Sequence, residues 1–113
     1  MNLTYAYILT FVAIISEVIG TIFLKDTAGF TKFYPSFISI SAFCICIYLM
    51  SHVVKVIPVG ITYATWSGLG IVAVTTIAIF KFKQVPNIPT IIGLGLIVVG
   101  VVIVNLMNDM DIE

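Results

Sequence analysis

The fold class predicted by this sequence is an all-α integral membrane protein with four transmembrane helices, and two observations carry the prediction. Of the 113 residues, 61% are hydrophobic and 9% are charged, and the mean hydropathy is +1.24. A soluble domain of this size needs far more polar surface. The apolar residues also gather into four stretches, each near the roughly 20 residues that a helix needs to cross a bilayer core. Together they make one four-helix transmembrane domain spanning 1–113, with no soluble part to hold a separate active site. A closed barrel does not fit, because the stretches lack apolar/polar alternation.

The first stretch covers about residues 5–24 and ends at "KDTAGFTKFYP", where charged and turn-forming residues collect. It has no basic leader and no clear small-residue cleavage site, so it reads as a retained helix rather than a secretory signal. The second stretch, about 34–54, closes at "HVVKVIP", and the third, about 59–80, at "KFKQVPNIP". The last, about 88–107, gives way to the acidic tail "NDMDIE", whose Asp109, Asp111 and Glu113 read as solvating residues. Short connections predict that consecutive helices are antiparallel neighbours. Lys25, Lys32, Lys81 and Lys83 lie on connections one and three, against only Lys55 and the amino terminus on the other side, so positive-inside logic places both termini outside.

Several chemistries are disfavoured. A formal net charge of +0 gives no footprint for nucleic acid. Cys44 and Cys46, two apart on a helix, point to different faces and read as packing residues rather than a bridge or metal site. His52 beside Lys55 reads as interfacial. No nucleophile–base pair or metal cluster stands out, so neither an enzyme nor a cofactor is expected.

Glu17, in "AIISEVIGTIFLK", is the residue that most needs explaining. An ionised carboxylate in hydrocarbon costs several kcal/mol, so a membrane acid normally faces a bundle interior or wet cavity and marks an ion or substrate path. Helical spacing places Thr10, Ala13, Ile14, Gly20 and Thr21 on its face, small or hydroxylated side chains that leave room. No basic residue within a span is placed to neutralise it. Such an acid holds a proton or a cation but hardly both, and that exclusion is sufficient to couple cation movement to a proton gradient. A structural carboxylate bonded to a neighbouring helix is the bland alternative.

In "PVGITYATWSGLGIV", Tyr63 and Trp66 share a helix face and Ser67, Gly68 and Gly70 follow. Two rings facing a carboxylate suit a lipophilic cation; an interfacial aromatic belt is the alternative, and Trp66 lies deep for one. Gly68 and Gly70 fit a hinge or a close helix contact. In "GLGLIVVGV", Gly93, Gly95 and Gly100 form a candidate association surface, with packing inside one chain as the other reading. Four helices are too few to enclose most transport pathways, so oligomerisation is expected.

With "EVIGTIFLK", "GFTKFYPS", "IPVGITYATWSGLGIV" and "GLGLIVVGV" in this order, the chain resembles the small multidrug resistance family of bacterial proton-coupled exporters over nearly its whole length. The resemblance implies a multi-pass protein of the bacterial inner membrane, an antiparallel dimer in which two copies of Glu17 face one site that opens alternately to each side. Protons and cationic substrate then compete for those carboxylates. Tyr63 and Trp66 match the substrate-contacting aromatics, and Thr10, Ala13, Thr21 and Tyr7 match lining positions. Ser67 joins them as a polar group of the pocket. The "GLGLIVVGV" run matches the dimer contact. Gly20 resembles the multidrug and quaternary-ammonium branch, where guanidinium exporters place tryptophan, and leaves room for bulky aromatic cations. Phe43 stands where many multidrug members have tyrosine, so a pocket hydroxyl is missing. The two lysines of "KFKQVPNIP" raise pairing with an oppositely oriented homologue as an alternative to a homodimer.

The expected function is therefore proton-coupled antiport of lipophilic organic cations, namely quaternary ammonium compounds and cationic dyes. Export of polyamine or guanidinium-type cations keeps the fold and changes the cargo. A non-transporting membrane subunit that docks a partner through its glycine-rich helix is the rival from another class.

Overall fold

The computed structural model describes residues 2–108, so the acidic tail lies outside the described residues. Four helices follow one another: α1 (Leu3–Asp26), α2 (Phe33–Val53), α3 (Val59–Lys81) and α4 (Ile88–Met107). All four are long and apolar enough to cross a membrane. At 1.5 Å per residue each reaches about 30 Å or more, the thickness of a bilayer core.

The helix ends are set by local chemistry. Asn2 caps α1 by accepting the Tyr5 amide at 2.8 Å, and Asn87 caps α4 by accepting the Thr90 amide at 2.9 Å. After α1 the chain turns around Thr27, which is 1% exposed. Its hydroxyl donates to the Leu24 carbonyl at 2.7 Å and accepts from the Phe30 amide at 3.3 Å. Ala28, Gly29 and Phe30 all take positive φ (49°, 73° and 64°). Only the glycine adopts that conformation without steric cost, so buried Thr27 holds the other two there.

Short connections predict α2 against α3, but α1 lies between them, and α4 packs on α3. The reason is visible in the side chains of α1. Ser16 donates to the Ala42 carbonyl at 2.7 Å, and Ser39 donates to the Gly20 carbonyl at 2.8 Å. Small residues bring the α1 and α2 backbones close enough for these bonds, which hydrocarbon does not compete for. A Cβ on Gly20 would lie 3.0 Å from the Phe43 ring and 3.1 Å from the Ser39 carbonyl oxygen. The space that the sequence assigned to cargo at Gly20 is thus filled by α2.

Ala6, Ala13, Cys46, Met50, Val53, Ile57 and Ile61 form one buried cluster, and Ile14, Val18 and Ile22 form a second against α3. Cys46 belongs to the first, while Cys44 is exposed. At the end where α1 and α3 finish, Lys81 pairs with Asp26 at 3.6 Å. Lys25 lies 4.5 Å from the centre of the Phe82 ring. Both partners of the ion pair are 43% exposed, so it contributes at most about 1 kcal/mol.

On α4 only Val101 is buried. It contacts Gly68, where a Cβ would lie 2.5 Å from Val101 Cγ2 and 3.1 Å from Ile97 Cγ2. Gly68→Ala gains about 1 kcal/mol of helix propensity but overpacks this contact, at a cost of about 1–3 kcal/mol. Equilibrium unfolding in detergent is expected to show net destabilisation of Gly68→Ala, with Val101→Ala added on top restoring most of the loss.

Candidate functional site

Glu17 sits two turns from the C-terminal end of α1, on the side facing α3. Its Oε1 accepts from the Thr21 hydroxyl at 2.7 Å, a contact that one helical turn makes available. Its Oε2 is buried and has no hydrogen-bond partner among the described residues. Directly opposite stands Gly70, where a Cβ would come within 2.8 Å of Oε2. The missing side chain at 70 is what lets α3 approach the carboxylate. An acid with one oxygen bonded and the other bare in apolar surroundings is satisfied by a proton or by a cation.

A cavity of about 470 Å³ opens from this carboxylate. Glu17 and Thr21 form its α1 wall, and Tyr63, Trp66, Ser67, Gly70, Ile71, Val74 and Thr75 its α3 wall. The Tyr63 and Trp66 rings meet edge to face, 5.7 Å apart at 68°. Tyr63 stands at the rim and is 62% exposed, so α1 and α3 supply two walls and leave a side open. The aromatic faces and the bare oxygen together favour a cation with an apolar body.

The family model described as "Small Multidrug Resistance protein" matches residues 5–97. The chain belongs to the small multidrug resistance family. It is 46% identical over 103 residues to the quaternary ammonium compound-resistance protein QacG of Staphylococcus sp. (strain ST94), covering 91% of this chain and 96% of that one. With QacC of Staphylococcus aureus it shares 48% over 102 residues, 90% of this chain and 95% of the relative. With the multidrug transporter EmrE of Escherichia coli (strain K12) it shares 43% over 96 residues, 85% and 87% of the two chains. Family membership and four spanning-length helices make it a multi-pass membrane protein.

Within this family member the site residues named from sequence divide into two groups. Glu17, Thr21, Tyr63, Trp66 and Ser67 surround one cavity. Thr10, Ala13, Tyr7 and Phe43 do not line it. Thr10 is buried and returns its hydroxyl to the Ala6 carbonyl at 2.9 Å, and Ala13 lies in the first buried cluster. Tyr7 donates to Asn105 Oδ1 at 2.6 Å, and Phe43 covers Gly20. Nor are Gly68 and Gly70 breaks in α3, which is continuous from Val59 to Lys81. One admits Val101 and the other admits the Glu17 carboxylate. Among the described residues, no other part of the chain comes within 4 Å of where a Cβ on Gly93, Gly95 or Gly100 would stand.

Sequence reasoning missed three wall residues, Ile71, Val74 and Thr75. Rows of four, Tyr63–Ser67–Ile71–Thr75, continue the face that the aromatic pair begins, and that spacing was the available signal. It also missed Asn105, whose Nδ2 donates to Thr65 Oγ1 at 2.7 Å while Oδ1 takes the Tyr7 hydroxyl. This amide joins α4 to both α3 and α1.

Glutamate labelled with carbon-13 at the carboxyl gives two resonances in this chain, from Glu17 and Glu113. Thr21→Val is expected to move the Glu17 signal by removing its donor, and Gly70→Ala to move it by displacing Oε2. The Glu113 signal is the internal reference. A Glu17 resonance unchanged in both variants would contradict the geometry described.

Proposed function

We propose that this protein is a proton-coupled exporter of lipophilic organic cations, quaternary ammonium compounds and cationic dyes, working as an antiparallel dimer in the bacterial cell membrane. The observation that carries the proposal is the bare Oε2 of Glu17 in an open-sided cavity beside Tyr63 and Trp66. Names among the relatives, quaternary ammonium compound-resistance protein and multidrug transporter, agree with it.

Each step follows from that carboxylate. Deprotonated Glu17 binds the cationic centre while the rings cover its apolar body. Protonation from outside neutralises the acid, and the cation loses its counter-charge and leaves. A cation and a proton that bind the same oxygens exclusively are linked, and the gradient of one drives the other. A second copy supplies the walls that α1 and α3 leave open and a second Glu17. The empty space over Gly93, Gly95 and Gly100 supports α4 as the contact between copies, because small residues let membrane helices approach closely. Pairing with an oppositely oriented homologue uses the same surface.

Polyamines fit the cavity less well. Its hydroxyls are those of Thr21, Tyr63, Ser67 and Thr75, too few to replace the hydration of several ammonium groups. A non-transporting subunit would tolerate loss of the acid.

Purified protein in liposomes is expected to accumulate an aromatic quaternary cation when a proton gradient is imposed, and Glu17→Gln to reduce uptake to that of empty liposomes. Retained uptake in the variant would refute the exporter reading. Binding should also weaken as pH falls, with the apparent Kd rising by up to about tenfold per pH unit for each proton displaced. Titration calorimetry in buffers of different ionisation enthalpy counts those protons, and Glu17→Gln should release none.

A further inference from the structure

Threonine inside a membrane helix usually returns its hydroxyl to the carbonyl one turn back, because hydrocarbon offers no other partner. Thr10, Thr65 and Thr76 do so here, at 2.9, 2.8 and 2.8 Å. Thr75 does not: its hydroxyl makes no hydrogen bond among the described residues, and it stands in the wall of the Glu17 cavity. It lies five residues beyond Gly70 on α3, about 7.5 Å along the helix from the level of the carboxylate. Tyr63 and Trp66 lie in the opposite direction. The cavity therefore has an aromatic end, an anionic middle and an end lined by Thr21 and Thr75.

Beyond Thr75 the chain offers more polar groups. Val74 and Thr75 are also walls of a second cavity of about 290 Å³, which carries Gln84 and Thr90 and lies under the connection from α3 to α4. Thr75 is thus the last hydroxyl in the wall of the Glu17 cavity in this direction, with Gln84 and Thr90 on its far side.

We infer that Thr75 is a specificity-determining residue that accepts the second, hydrogen-bonding end of elongated quaternary ammonium cations, those carrying a hydroxyl on a chain that reaches from Glu17 to Thr75. This rests on the exporter reading above. A buried tail hydroxyl that finds no partner is penalised, whereas one that meets the free Thr75 hydroxyl exchanges a bond to water for a bond to protein. The residue thus decides whether such a cation is accepted or rejected, and a plain alkyl tail does not sense it.

The test uses the full chain in lipid, with the fluorescence of Trp66, its one tryptophan, as the readout. Two probes are compared, trimethylammonium cations with a tail of about six carbons, matched to the 7.5 Å rise, ending in methyl or in hydroxyl. Thr75→Val keeps the side-chain shape and removes the hydroxyl. It is expected to weaken binding of the hydroxyl-tailed cation about 5–10-fold, the worth of one hydrogen bond, and to leave the methyl-tailed cation within twofold. Thr76→Val, one position along and bonded to its own helix, should leave the ratio of the two affinities unchanged. An unaltered ratio in Thr75→Val, or equal losses for both probes, would overturn the subsite. Glu17→Gln separates the two proposals: if it still binds both cations as wild type does, the exporter reading fails, whatever Thr75→Val shows.

Discussion

An ionisable group placed where water is scarce constrains everything around it, and in this protein that group is Glu17. Its carboxylate is half-satisfied by Thr21, and its other oxygen faces α3 at Gly70, where no side chain intervenes. Were α3 further away, the acid would face lipid at a cost of several kcal/mol. Were a methyl group present at 70, the oxygen would have to turn away. The proximity of α1 and α3 is thus part of the chemistry of the site, and the buried contacts of Ile14, Val18 and Ile22 against α3 keep it.

The rest of the fold serves that proximity through small residues. Gly20 and Ser39 let α2 close on the back of α1, and Gly68 lets α4 close on the back of α3. Each contact uses van der Waals packing or an interhelical hydrogen bond, the forces that remain when lipid removes the hydrophobic drive between helices. Tyr7, Asn105 and Thr65 tie the far ends of α1, α3 and α4 together. The cavity consequently has a firm back on both helices, while its open side shows an exposed Tyr63 and, elsewhere on the chain, α4 presents an unpacked glycine face.

Much of the site was legible in the sequence, for identifiable reasons. A lone carboxylate in an apolar stretch is costly enough to stand out without any structure, and Thr21, Tyr63, Trp66 and Ser67 follow from helical spacing around it and along α3. Helical spacing and resemblance to the small multidrug resistance family both pointed to Thr10 and Ala13, and resemblance alone to Tyr7 and Phe43, yet in this chain all four pack against α2, α4 or their own helix. Gly20 illustrates the difficulty. A glycine one turn from an acid reads as room for cargo, yet the room is taken by Phe43, a residue more than twenty positions away that no local pattern connects to it.

The sequence by itself determined that the chain makes four apolar helices, where each begins and ends to within a few residues, that one acid lies within a span, and which family the motifs belong to. These depend on composition, caps and turn residues, which act locally. The tertiary structure decided which side of each helix faces which neighbour, that α1 rather than α2 lies beside α3, and that Gly68 and Gly70 admit a valine and a carboxylate instead of bending the chain. A helix that is apolar all round carries no stripe to announce its buried face. That face is chosen by where small residues allow backbones to approach, and such a pairing exists only once both helices are in place.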